Sequence, residues 1–372
     1  MLRFTPLVSA AALAVVMATA TTTLAHQAAV TYHQIAVIPV AGLTSFDISF
    51  VERSSQTYYL ADRSHQAVDF FNAATNDVES RVTGFVGPST SNDTAGPNGI
   101  VVVGDQHELW AGDGDSTVKV IDLRSRTIVA TISTGGTNRA DEMAYDQKDK
   151  ILVVANDAEI VPFVSFIDTR TRIVVGKVQF PDATNGLEQP VWDPATHLFY
   201  LSVPRLGADP TSGGIAVLDP RTRSLVRTRP VTDCEPAGLA LGPSQHLLLG
   251  CSGDGIAAWQ AQLQVMDART GAIVKVITGI GGADEVWFNP GDKHYYVAAR
   301  FDPSGPKLGI IDARTDTLIQ TVATATNSHS VAADPINNHI FVPLKGTGIG
   351  VYAAVDEDSA GNDERDSDDL SE

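Results

Sequence analysis

Residues 116–136, STVKVIDLRSRTIVATISTGG, read as two short strands joined by a turn. Residues 118–121 are β-branched and apolar-rich, and residues 127–132 alternate before a glycine pair; both are strand signals. Between them, Asp122-Leu123-Arg124-Ser125 supplies the turn. An aspartate side chain accepts a hydrogen bond from backbone two residues on, and a serine or threonine hydroxyl does so more weakly. A D-x-R-[ST] tetrapeptide therefore closes a hairpin with local bonds alone.

The hairpin recurs. Asp168 (FIDTRT), Asp219 (VLDPRT), Asp267 (VMDART) and Asp312 (IIDART) mark further copies, and in two degenerate copies Asn72 (FFNAAT) and Ala353 (VYAAVD) stand at the acid's place. The successive steps are 50, 46, 51, 48, 45 and 41 residues. Periods of this size with only strand signals mean a propeller or a solenoid, with about four short strands per unit. In the third unit the strands, termed a to d, are expected at 141–145, 151–155, 163–167 and 173–178.

An open row of sheets leaves its edges exposed, and closure removes them. The last unit stops after its third strand near Val351-Tyr352, while residues 34–40 (QIAVIPV) precede the first strand a and resemble the d strands. The expectation is an all-β, seven-bladed β-propeller of four-stranded antiparallel blades over residues 31–355, its last blade completed by the N-terminal strand. The hairpin pattern V-x-V-I-D-x-x-[TS]-x-x-[IV]-V-x-x-[IV] resembles the YVTN-type propeller repeat of exported bacterial proteins. That repeat is related in shape to lactonase-type propellers and to those of nitrite and nitrous oxide reductases. The resemblance implies a scaffold and no shared catalytic set.

The ends of the chain differ from its body. Arg3, the apolar residues 7–17 and the small-residue sites ATA and TLA read as a secretory signal over residues 1–25, and the apolar run is short of the ~20 residues a membrane span needs. A periplasmic or secreted protein with no membrane span after cleavage is expected. The net charge is −18, and residues 355–372 hold nine acids and one arginine. Residues 356–372 are therefore expected to form a disordered acidic tail. The body keeps a charge of about −10, which argues against nucleic acid or an anionic membrane as partner. A small molecule or a protein partner, bound by a monomer, fits better. Cys234 and Cys251 flank a turn at 242–245, so in an oxidising compartment they are free thiols or a disulfide. No C-x-x-C-H occurs for covalent haem attachment.

In a four-stranded meander the d–a and b–c connections emerge on one face and the a–b and c–d connections on the other. His107, His197, His246, His294 and His339 all fall just before strand b, and Arg124, Arg170, Arg221, Arg269 and Arg314 all fall in c–d turns. Residues repeated on every blade build the repeat, so these belong to a structural base. The irregular d–a loops ring the mouth of the central channel. They bring Asp47, Asn98, Arg139, Asp141, Glu188 and Glu235 as ligand-binding candidates, with Arg300 from a b–c loop on the same face. Glu142 and Glu285 are the metal candidates. Carboxylate and amide oxygens suit a divalent cation such as Ca²⁺; alternatively, the acids cap strand ends and pair with Arg63, Arg139, Arg205 and Arg300. Metal-dependent lactonase propellers gather Glu, Asn and Asp from separate blades. By that resemblance Glu142 or Glu285 would be a ligand and Asp284 or His329 the base, with the metal polarising an ester carbonyl and activating water.

Overall fold

Strand b of the third unit, Ile151–Asn156, is buried along its whole length, which is why its sequence is a continuous apolar run. Both faces of its sheet are covered by neighbouring sheets. In the computed structural model, which describes residues 1–2 and 30–356, this strand pairs antiparallel with Met143–Asp146 and with Phe163–Asp168. Phe163–Asp168 pairs in turn with the outermost strand, Ile173–Gln179, whose residues are mostly exposed or half-buried. The expected signal segment beyond its first two residues, and the acidic tail beyond Asp356, lie outside the described residues.

Seven four-stranded sheets of this kind make the β-propeller, and six of them use four consecutive strands. The seventh orders Ala332–Ala333, Ile340–Leu344 and Gly348–Asp356 and then takes Val30–Pro39 as its outer strand. The N-terminal strand thus closes the last blade, starting four residues earlier than expected. It also ties to the sixth blade: the Tyr32 N–H donates to Gln320 Oε1 at 2.8 Å, and Gln320 Nε2 donates to the Tyr32 carbonyl at 2.7 Å.

The core lies between blades. Leu248 and Val265 of the fifth blade pack with Val286, Tyr295 and Val297 of the sixth. Ile38, Val51, Tyr58 and Phe341 join the last blade to the first, with the Tyr58 and Phe341 rings stacked 4.9 Å apart. Burying aromatic and branched side chains at every such seam is worth roughly 1.5–3 kcal/mol each.

The c–d turns form as their sequence dictates. Asp122 Oδ1 accepts from the Arg124 N–H at 3.0 Å and the Ser125 N–H at 2.7 Å, and Asp168, Asp267 and Asp312 repeat the pattern. Asn72 Oδ1 does the same for Ala74 and Thr75, so the degenerate copy keeps the turn. Arg170, Arg221, Arg269 and Arg314 each pair with their own turn aspartate, at 2.6–3.0 Å and with the arginine side chain exposed. Such exposed pairs contribute little.

Several of the repeated histidines link neighbouring blades at the base. His246 Nδ1 lies 2.8 Å from Asp316, His294 Nδ1 lies 2.8 Å from the Tyr32 hydroxyl, and His339 Nδ1 lies 3.2 Å from Asn76. Cys234 and Cys251 form a disulfide across the start of the fifth blade, their Cα atoms 4.6 Å apart.

Candidate functional site

The d–a loops deliver their side chains to the axis in two tiers. In the third, fourth and sixth blades an extended polar pair enters strand a: Asp141-Glu142, Glu188-Gln189 and Asp284-Glu285. Successive side chains on extended backbone point in opposite directions. Accordingly Asp141, Glu188 and Asp284 line a mouth pocket of about 260 Å³, and Gln189 and Glu285 line the channel below it, a cavity of about 840 Å³. Glu142 lines both.

The mouth pocket brings together most of the expected candidates: Asp47, Arg139, Asp141, Glu142, Glu188, Asp284, Arg300 and His329. It is a mixed-charge ring rather than a bare acidic one. Arg63 Nη2 is paired with Asp47, Arg139 Nη2 lies 2.8 Å from Asp141 and 2.5 Å from Asp157, and Arg300 Nη2 lies 3.1 Å from Asp284. Burial alone would raise the Asp47 carboxyl. Arg63, the His329 hydrogen bond and Arg139 outweigh it and hold the group well below the usual carboxylate range.

Three candidates stand apart from the mouth. Asn98 is buried behind Arg63, accepting from its Nε at 3.1 Å and donating to the Ala140 carbonyl at 3.0 Å, so it positions the arginine. Glu235 is turned away to Arg205 at 2.5 Å and Asn185 at 3.0 Å, and it lines neither cavity. Glu285 faces the channel, accepting from the Ser330 hydroxyl and from the Val331 N–H at 3.1 Å.

Glu142 is different. Its residue is 7% exposed, and its carboxylate has no hydrogen-bond or ion-pair partner among the described residues. Burial raises its affinity for a proton well above the ordinary range, and Glu285, Glu188, Asp141 and Asp284 raise it further. Asp141, Glu188 and Glu285 shift the same way, in each case chiefly through burial. Asp141 Oδ1 is buried without a hydrogen-bond partner among the described residues.

Among the described residues, no three His, Cys, Asp or Glu ligand atoms gather within 4.8 Å of one another at the mouth or in the channel. Among the described residues, the one set of three ligand-type side chains with atoms within 4.8 Å of one another is Asp62, His65 and Asp69, away from both cavities. That set is already satisfied, since Arg81 donates to Asp69 at 2.5 and 2.7 Å and to Asp62 at 3.2 Å, and His65 Nδ1 lies 2.5 Å from Asp62. Burial, with Asp69 beside it, pushes the Asp62 carboxyl up to about 6. At the mouth, His329 turns Nδ1 to the Asn327 carbonyl at 2.9 Å and Nε2 to Asp47 at 3.1 Å, so both ring nitrogens are already engaged. Asp284 is engaged by Arg300.

The channel is what the loops alone do not reveal. Strand a of successive blades lines it with Phe50, Tyr145, Trp192, Trp287 and Phe288, and it reaches the a–b face at Lys148, Lys150 and His197. Phe50 and Trp287 meet edge to face at 5.3 Å. The recurrence of Val-Trp at 191–192 and 286–287, both in strand a, is the sequence signal that marks these walls.

No protein-family model matches the chain, and no curated protein matches it. Among solved structures it is similar to a chain of Kuenenia stuttgartiensis hydrazine synthase, with a TM-score of 0.68 and 15% identity over 86% of this chain and 98% of that one. It is also similar to a chain in the crystal structure of the mitotic checkpoint complex, with a TM-score of 0.67 and 15% identity over 93% and 98%. At this identity the likeness is one of fold, and it agrees with the propeller built above.

Proposed function

We propose that this propeller is a binding protein that takes a small organic molecule into its axial channel. The observation that carries the reading is the channel itself: about 840 Å³, walled mainly by apolar and aromatic side chains, with polar groups at its two ends. Binding sites for small molecules have this size and this composition. An exported location is part of the proposal. It is supported by the N-terminal signal pattern and by the Cys234–Cys251 disulfide, which suits an oxidising compartment. Kinship with YVTN-type proteins rests on the hairpin pattern.

Trp192 and Trp287 make the binding reading testable by intrinsic fluorescence. Titration with a panel of small aromatic probes is expected to change the emission saturably, and Trp287→Ala is expected to weaken that response. A flat response across the panel, with the folded state verified by circular dichroism, would overturn the assignment. Cell fractionation together with N-terminal mass analysis tests export, and an intact N-terminus in the cytosolic fraction would refute it.

A further inference from the structure

Glu142 sits where the polar mouth and the apolar channel meet, and it is the one member of the lower tier left without a bond. Gln189 Oε1 accepts from the Leu239 N–H at 2.6 Å and the Val286 N–H at 3.2 Å. Glu285 is held by Ser330 and Val331, and Ser330 in turn bonds Ser49 at 2.7 Å. These bonds stitch the fourth, fifth, sixth, seventh and first blades together around the axis. A carboxyl outside that network, on a residue only 7% exposed and opening onto an accessible cavity, is placed to receive a ligand's polar group.

Its surroundings select the partner. An anion is disfavoured by the carboxyls of Asp141, Glu188, Asp284 and Glu285, which stand around it. A metal ion held by such side chains alone is disfavoured, because no set of three His, Cys, Asp or Glu ligand atoms within 4.8 Å of one another includes Glu142 or Glu285 among the described residues. The guanidinium groups that also line the mouth, Arg63, Arg139 and Arg300, are already engaged by Asp47, by Asp141 and Asp157, and by Asp284. His329 is bound to Asp47 across the same pocket. At its other end the channel carries Lys148, Lys150 and His197, on the far side of the aromatic walls. Aromatic faces attract organic cations, most strongly where water is excluded.

We infer that the channel's ligand is an amphipathic organic amine, its ammonium group paired with Glu142 and its apolar body lying along Trp192 and Trp287. This rests on the channel-binding reading above and names its ligand class. Pairing requires the Glu142 carboxylate, so the bound state forms as the carboxyl releases its proton to solvent and the ammonium keeps its own. Affinity for the amine therefore rises with pH through the range in which buried Glu142 ionises.

The test uses phenylbutylamine and its neutral counterpart phenylbutanol, titrated calorimetrically into the full-length protein between about pH 5 and pH 8, well below the ordinary pKa of an aliphatic amine. The amine is expected to bind at least about tenfold more tightly at the upper end of the range, with an affinity that climbs with pH. The alcohol's affinity is expected to stay flat. On the climbing part of the amine's profile, the heat of amine binding should differ between phosphate and Bis-Tris buffers, whose ionisation heats differ, which reads proton release without any variant. Glu142→Gln is expected to equalise the two ligands. Equal binding of amine and alcohol to the wild-type protein would overturn the cationic class and leave channel binding standing. Binding of neither would overturn both. An amine preference that survives Glu142→Gln and disappears in Glu188→Gln would overturn the assignment to Glu142.

Discussion

His329 Nε2 lies 3.1 Å from Asp47 Oδ1, so the last blade and the first meet through a buried polar contact at the channel mouth as well as through apolar packing. Asp47 also holds Arg63, which Asn92 and Asn98 fix from behind. Removing one partner from a buried ion pair leaves the other charge uncompensated. Asp47→Asn is expected to lower stability by about 3 kcal/mol in denaturant unfolding. Arg63→Met in the Asp47→Asn background should cost less than Arg63→Met alone. Additive losses would show that the two residues act independently.

Stability should depend on pH in a direction that the buried acids set. Glu142, Glu188, Glu285 and Asp141 hold their protons more tightly when folded than when unfolded, chiefly through burial. Their contribution is complete below the unfolded carboxylate range and is lost as pH rises through their folded values, because the folded chain then binds more protons than the unfolded one. Asp47 runs the opposite way, as does Asp312, which the Arg314 hydrogen bond holds at about 2. Their contributions are present above the unfolded range and fade on acidification. Asp312 is largely screened by solvent, so its share is small. Calorimetry is expected to find the highest Tm on the mildly acidic side, falling toward about pH 8. Glu142→Gln should raise Tm most at that alkaline end, by an amount on the order of 1 kcal/mol or more in stability.

Closure of the ring can be tested at a single residue. Gly348 begins the third strand of the last blade with a φ of +143°, and an added Cβ would press on the Ile38 carbonyl oxygen of the N-terminal strand. Gly348→Ala therefore strains the backbone and pushes apart the two strands that close the propeller. It is expected to cost more than about 1 kcal/mol and to raise hydrogen exchange first in residues 31–39. Exchange that rises elsewhere first would place the weakest seam in another blade.

The repeat was legible in the sequence because its bonds are local. An aspartate or asparagine that bonds the next turn's N–H groups writes its structure into four consecutive letters, and Asp122, Asp168 and Asn72 all obey it. The shared last blade was legible too, because residues 34–40 had no other sheet to join. The mouth was only partly legible. Its loops were correctly collected around the axis, but Glu235 turns to Arg205 and Asn98 to Arg63, and Asp157, which holds Arg139, was not singled out. Where a loop side chain points depends on which arginine the neighbouring blade offers, and that is information from about fifty residues away. The apolar channel escaped notice because its walls lie in strand a, whose short segments look like any other strand until the ring is closed.

The outer strand of the last blade, Val30–Pro39, is separated from its partner Gly348–Asp356 by roughly 300 residues of chain. At a synthesis rate of ~5–20 residues per second, that strand waits on the order of 15–60 s before the segment it must pair with exists. Ile35 and Val37 remain partly exposed even in the finished fold. Throughout that interval the strand that will lock the ring has an unpaired edge, open to other partners during biogenesis.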